Sequence, residues 1–196
     1  DDVTKRIATQ LVNIDSLIEQ ALFYARSTSL EQDFLVKRVT LKELVTEAIK
    51  QNAKTLIGAG VAVELDEEEL TYAVYADPKW LTFIMGQILA NSVKYRREER
   101  PVIRFTGRKF SEGVKLIITD NGIGIEEKDI HRIFDKGFTG ENGHKTQKST
   151  GIGLYLCKKL CTKMNLNIAA SSKPGEETTI FITFPINSMT NNLTRM

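Results

Sequence analysis

Three short stretches of this chain carry residue types that could handle a phosphorylated nucleotide. Asp120 ends an alternating apolar run, Val114, Leu116 and Ile118, and is followed by the turn Asn121-Gly-Ile-Gly124. A carboxylate at a strand end is an acceptor at the edge of a core, and glycines beside it let a flat ring approach the backbone. Such a group can accept a hydrogen bond from adenine's exocyclic amine. Guanine would bring a carbonyl oxygen to the same place, and two acceptors facing each other in a dry pocket are costly. Thr150-Gly-Ile-Gly-Leu154 opens a helical pattern, whose free N–H groups and positive dipole end suit a phosphate. Gln87, Asn91 and Lys94 or Tyr95 fall on one face of a third segment. Asparagine is a poor helix former, so a mid-helix Asn91 between Ala90 and Ser92 reads as a neutral oxygen ligand for phosphate-bound magnesium, with Lys94 meeting phosphate charge.

Each stretch alone has a plainer reading. Asp-Asn-Gly is a common turn, a Gly-x-Gly helix start is often a close helix–strand contact, and an Asn on a polar stripe is often just solvated. The third glycine of a dinucleotide fingerprint is missing, no GxxxxGK[ST] occurs, and the protein-kinase signatures are absent.

The elements that must hold these residues follow from local signals. Phe34 to Val39 reads as a short strand. Thr40-Leu-Lys-Glu43 is a capping box opening a helix to about Ile57, ended by Gly58 and Gly60. Val61, Val63 and Leu65 alternate, as do Ala73 and Tyr75 across an acidic turn. Asp77-Pro78 starts the helix that carries Asn91, running to about Tyr95. Strands are expected at Val102–Phe105 and Val114–Thr119. A polar loop over Gly137–Thr150 follows, then a helix over Ile152–Met164 and two strands near Ile168 and Thr179–Phe184. Helices mixed with antiparallel-looking hairpins predict an α+β fold, a two-layer α/β sandwich.

Before it, Ile7, Leu11, Ile14, Ile18, Ala21 and Ala25 recur at the spacing of a coiled-coil seam. Leu17, Leu22 and Tyr24 widen that face as a helical bundle needs. No second heptad segment covers it, so it meets a second copy, the following domain or a helix beyond this chain, or packs on the domain's own sheet. Expected boundaries are 1–33 for this helix and linker, 34–185 for the sandwich and 186–196 for a polar tail.

Composition sets outer limits. Hydrophobic residues at 41% can build a core, and a net charge of +2 gives no electrostatic footprint for nucleic acid. No apolar run is long enough to span a bilayer. The two cysteines, Cys157 and Cys161, sit four apart on one helix and read as reduced, partly buried thiols of a cytosolic domain.

Taken in order, an NxxKY helix, a strand-end DNGIG, the segment Ile133-Phe-Asp-Lys-Gly-Phe138, a polar loop and GIGL resemble the Bergerat-type ATP-binding fold of bacterial sensor histidine kinases. That superfamily is shared with gyrase, mismatch-repair ATPases and the heat-shock chaperone. The likeness covers about Phe34 to Pro185. The strings ALFYARS, IFDKGFTGENG and STGIGLYLCKKLC are most similar to the small kinases paired with antimicrobial-peptide transporters in Gram-positive bacteria.

The resemblance implies ATP and magnesium as ligands. It assigns magnesium to Asn91 and adenine to Asp120, and gives Gly122, Gly124, Gly151 and Gly153 the shaping of the pocket. Lys94, Tyr95, Lys136 and Leu154 would line the nucleotide. Gly137–Thr150 would be a lid, and Thr178 would sit near Asp120, although the usual glycine before that threonine is Glu177 here. It further implies a phosphotransfer helix over the first segment, a homodimer through Ile7–Ala25 and a response-regulator partner. A parent chain in the cell membrane, possibly coupled to a transporter, is implied too, with this part on the cytoplasmic side.

Two departures bear on the chemistry. The family phosphorylates a histidine in an H-[ED]-x-[KR]-x-P-like stretch, and neither His131 nor His144 has that context. The acceptor is therefore expected outside this chain. ATP-hydrolysing members place a glutamate base one turn before the asparagine. Here that position is Gln87, which favours phosphoryl transfer over hydrolysis. A rival from another class is a dimerisation module with a vestigial nucleotide site.

Overall fold

The computed structural model describes residues 3, 4, 7, 34–140 and 150–186. The chain divides into two compact units, Asp1–Phe34 and Leu35–Met196. In the first, Val3, Thr4 and Ile7 are helical and exposed. The remainder of the expected seam to Ala25, the middle of the expected lid with His144, and the tail from residue 187 lie outside the described residues.

The second unit is built on a five-stranded sheet in the order β2-β4-β5-β7-β6, with β1 and β3 forming a separate antiparallel pair. The strands are β1 (Lys37–Thr40), β2 (Ala62–Leu65), β3 (Ala73–Ala76), β4 (Val102–Phe110), β5 (Gly113–Asp120), β6 (Asn167–Lys173) and β7 (Glu177–Pro185). The helices are α1 (Leu41–Gly58), α2 (Pro78–Lys94), the single turn α3 (Glu127–Ile130) and α4 (Gly153–Lys163). This is the expected two-layer arrangement of helices on a sheet.

Local chemistry fixes the two long helices. Thr40 Oγ1 accepts from the Glu43 N–H at 3.2 Å, and the Glu43 carboxylate accepts in return from the Thr40 N–H at 2.6 Å. The Thr40 N–H and the Thr40 hydroxyl, the latter at 3.0 Å, both donate to the Glu43 carboxylate and hold it below its ordinary pKa. α1 stops where Gly60 turns to φ +65 and donates to the Ile57 carbonyl at 3.0 Å. At α2, Asp77 accepts from the N–H groups of Lys79 and Trp80, with Pro78 in the first turn where no N–H is missed. Its other oxygen accepts from Leu35 at 2.8 Å, tying the start of this unit to the helix.

One face of the sheet is apolar and buried: Ile103 and Phe105, then Val114, Leu116 and Ile118, then Ile180, Ile182 and Phe184, then Ile168. The helices meet it with Leu44, Val45 and Ala48 of α1, Ile84, Met85 and Ile88 of α2, and Leu156 and Leu160 of α4. Burying each large aliphatic side chain contributes about 1.5–3 kcal/mol.

The segment after α1 departs from the hairpin expected there. β2 pairs parallel with β4, Ala62 opposite Val102, while β3 pairs antiparallel with β1. The acidic stretch between them is no strand-to-strand turn: Glu69–Thr71 form a 3₁₀ turn that plugs Leu70 into the core. It crosses β4 so closely that a Cβ on Gly107 would lie 2.1 Å from the Glu69 carbonyl oxygen. Within β3 the buried residues are Val74 and Ala76, not the expected Ala73 and Tyr75. β3 takes its place by pairing with β1, not with β2. The two thiols are also deeper than expected, since Cys157 and Cys161 are both fully buried, and burial pushes the Cys161 pKa up to about 12.

Candidate functional site

On β5 the apolar residues of the buried face are succeeded, at the same parity, by Asp120. Its backbone partner across the β5–β7 ladder is Thr178, and Thr178 pairs in turn with Ser172 on β6. Directly opposed residues project to one face, so a polar row, Asp120–Thr178–Ser172, closes the end of the core. Asp120 is half-buried. One carboxylate oxygen accepts from the Ser92 hydroxyl at 2.7 Å and the other from the Gly122 N–H at 3.0 Å. Burial raises its pKa above the ordinary aspartate value and the nearby Glu177 adds to that, while the Ser92 and Gly122 bonds oppose it. A carboxylate can accept about four hydrogen bonds. Two sites are therefore left for a donor such as an aromatic amine.

The glycines stand where side chains would collide. A Cβ on Gly122 would come within 2.6 Å of the Tyr95 carbonyl oxygen, and the Ile123 N–H donates to that same oxygen at 3.0 Å. The end of α2 and the DNGIG turn are thereby one structure. Gly124 has φ +69, with the Lys173 carbonyl 2.3 Å from where its Cβ would be. Gly151 has φ +64, accepts from the Gly137 N–H at 3.0 Å and lies against Gly137 and Phe138. A Cβ on Gly153 would be 2.8 Å from Gln87 Oε1. So the IFDKGF segment, the GIGL helix start and the polar face of α2 converge.

Other expected residues fall around this frame. Asn91 is half-buried on α2, next to the Ser92 that holds Asp120. The Lys94 ammonium lies 5.2 Å from the centroid of the Tyr95 ring. Leu154 is half-buried in the first turn of α4, and Lys136 is exposed beside Gly137. Thr178 faces Asp120 across the ladder despite the glutamate before it. His131 is exposed at the end of α3 and remote in sequence from any phosphoacceptor context.

Sequence reasoning missed two groups. Ser92 entered only as a small neighbour of Asn91, yet it is a direct partner of Asp120. Ser172 carried no motif at all. Asn121, read as part of the turn, has a structural job: its side chain accepts from the Val102 N–H at 2.8 Å and donates to the Arg100 carbonyl at 2.9 Å. An open cleft of about 660 Å³ beside the turn is lined by Arg97, Glu99, Arg100, Asn121, Gly122, Ile123 and Gly175, and shares only Gly122 with the expected nucleotide residues.

The donor set fits magnesium better than a transition metal. Among the described residues no group of three His, Cys, Asp or Glu could hold a metal by itself. Asn91 offers one neutral oxygen, which suits an ion that keeps its waters and arrives on phosphates. Among the described residues, too, no helix is long and apolar enough to cross a membrane.

Known proteins give the site its family. A family model described as histidine kinase-, DNA gyrase B-, and HSP90-like ATPase matches residues 76–188. The sensor histidine kinase YxdK of Bacillus subtilis (strain 168) is 33% identical over 184 residues, covering 94% of this chain and 56% of YxdK. The sensor protein BceS of the same organism is 37% identical over 183 residues, 92% of this chain and 53% of BceS. The chain thus spans about half the length of these relatives. The solved structure of the Acinetobacter baumannii histidine kinase AdeS has the same fold, with a TM-score of 0.70 at 20% identity, over 95% of this chain and 86% of that one. The chain, a homologue of sensor histidine kinases, belongs to the family of histidine kinase-, DNA gyrase B- and HSP90-like ATPases.

Proposed function

We propose that this chain is the Mg-ATP-binding catalytic domain of a two-component sensor histidine kinase, which transfers the γ-phosphate of ATP to a histidine outside this chain. The observation that carries the reading is convergence. Gly122 fits the end of α2 against the Asp120 turn where a side chain would strike the Tyr95 carbonyl, Gly151 packs on the backbone of Gly137 and Phe138, and Gly153 at the start of α4 lies against Gln87 on the polar face of α2 that also carries Asn91 and Lys94. Asp120 accepts from the adenine amine, and Tyr95 and Leu154 flank the ring. Gly122 and Gly124 admit it, and Thr178 lies beside Asp120. Lys94 and Lys136 meet phosphate charge, and the N–H groups from Gly151 to Gly153 receive phosphate oxygens. Asn91 holds magnesium, which when bound neutralises charge on the phosphates. Gln87 orients rather than deprotonates, because an amide takes up no proton near neutral pH.

The same reading divides the chain into 1–33, a helix of the dimerisation and phosphotransfer bundle, 34–185, the catalytic domain, and 186–196, a tail. The seam Ile7–Ala25 pairs two copies, a response regulator receives the phosphate, and the parent chain sits in the bacterial membrane alongside a transporter. The sensor-kinase names of the relatives support the response-regulator partner and the heptad spacing supports the pairing of two copies, while the membrane and the transporter rest on the resemblance carried by ALFYARS, IFDKGFTGENG and STGIGLYLCKKLC.

Thermal unfolding with and without Mg-ATP tests the core of the proposal. At tenfold excess over the dissociation constant, ATP stabilises by about 1.4 kcal/mol, and EDTA should remove most of that. Identical melting curves for wild type, Asn91→Asp and Asp120→Asn, with and without Mg-ATP, would exclude the site. Mixing with a histidine-bearing parent chain and radiolabelled ATP tests transfer, which should give acid-labile label on the parent.

A further inference from the structure

Ser172 belongs to none of the motifs, and its hydroxyl is more fully committed than any other at the site. It accepts from the Ile125 N–H at 2.9 Å, donates to the Glu177 carbonyl at 2.5 Å and lies 3.1 Å from Thr178 Oγ1. A hydroxyl has one proton and two lone pairs. The proton goes to Glu177, since a carbonyl can only accept. One lone pair goes to Ile125. The contact with Thr178 can therefore be a hydrogen bond in one direction only, with Thr178 donating.

Among the described residues Thr178 Oγ1 has no other partner. With its single proton turned toward β6, Thr178 presents lone pairs to the rest of its surroundings, and across the ladder stands Asp120. Asp120 is itself an acceptor, with its two oxygens already bonded to Ser92 and Gly122. The polar row thus shows two neighbouring acceptors and no donor. An exocyclic amine has two hydrogens and matches that pattern, whereas a carbonyl oxygen in its place meets lone pairs from both.

We infer that Ser172 is a positioning residue for purine selection: by taking the Thr178 proton, it fixes Thr178 as a second acceptor beside Asp120 and so excludes 6-oxopurines. The inference rests on the ATP-binding reading and adds the origin of its base selectivity. It locates part of that selectivity on β6, a strand that contributes none of the expected nucleotide residues.

The test is the ratio of dissociation constants for ITP and ATP, measured with magnesium by calorimetry on the 196-residue chain. ITP carries a carbonyl oxygen where ATP carries the amine. In Ser172→Ala the Thr178 proton is released and can turn to a carbonyl, so the preference for ATP should narrow roughly tenfold, the worth of one hydrogen bond made rather than opposed. Ser172→Thr keeps the hydroxyl and should retain the wild-type ratio. Thr178→Val removes the second acceptor and should narrow the ratio as well, and adding Ser172→Ala to it should change nothing further. Proportional weakening of both nucleotides in Ser172→Ala would make Ser172 merely structural and overturn the inference. If Ser172→Ala does not fold, an unchanged ratio in Thr178→Val would overturn it equally. Failure of the wild-type chain to bind ATP at all would instead sink the underlying reading.

Discussion

The two ends of one sheet face are built from the same three strands and serve opposite purposes. At one end Leu116, Ile182 and Ile168 lie side by side, all but inaccessible to water. At the other end, two rungs past Ile118, Ile180 and Ala170, the corresponding positions are Asp120, Thr178 and Ser172. Strand, parity and neighbours are alike, and only the side chains change. At the apolar end burial is the whole contribution. At the polar end burial works against the residue, pushing Asp120 toward protonation, and each polar atom needs a named partner to stay in place. Stability and recognition are thus separable along a few rungs of one ladder.

That separation can be broken or sharpened by experiment. Phe184→Ala, deep in the apolar end, should cost about 3–5 kcal/mol by chemical denaturation, while ATP affinity of the folded fraction stays near wild type. Asp120→Asn should do the reverse. Nucleotide affinity should fall about 10- to 100-fold, the loss of a hydrogen bond to a charged group, whereas stability without nucleotide changes little because a neutral amide escapes the desolvation that raises the carboxyl. A large loss of stability in Asp120→Asn would show that the two ends are not separable.

The pH dependence should be a graded form of that second result. A raised pKa in the folded chain means that Asp120 favours folding in acid, and that this contribution is lost as pH rises through the folded value. ATP affinity has the opposite sign: it needs the carboxylate and should fall as pH drops through the same value, above the usual aspartate range. Calorimetric titrations at stepped pH check this, and Asp120→Asn should flatten the profile. The smallest effect serves as a control far from the row. Thr40→Ala removes the capping box of α1 and should cost about 1 kcal/mol with no change in nucleotide affinity.

What the sequence disclosed follows the same division between local and distant. The capping box at Thr40 and Glu43 and the Asp77-Pro78 start of α2 were legible because their partners lie within a few residues. The glycine turns were legible as motifs, and a side chain at Gly122, Gly124 or Gly151 would meet neighbouring backbone within 3 Å. The pairing of β2 with β4 was not legible: strand alternation gives a face but no partner, and β2 finds its partner in Val102–Phe105, on the far side of β3 and α2 in the chain. Ser92 and Ser172 were hidden for a related reason. Serine is common on any surface, and the partners that give Ser172 its role come from two places in the chain, the turn at Ile125 and the adjacent pair Glu177 and Thr178.

The register of β5 against β7 also has a topological consequence. Asp120 and Thr178 are adjacent in space, so everything between them, from the DNGIG turn through GIGL to β6, is a single excursion whose two ends touch. Lengthening a flexible loop costs only logarithmically, about 0.6 kcal/mol per doubling. Material added to the polar stretch inside that excursion would leave the five-stranded order intact. Added length inside the excursion therefore leaves the rung that closes it, Asp120 against Thr178, where it is.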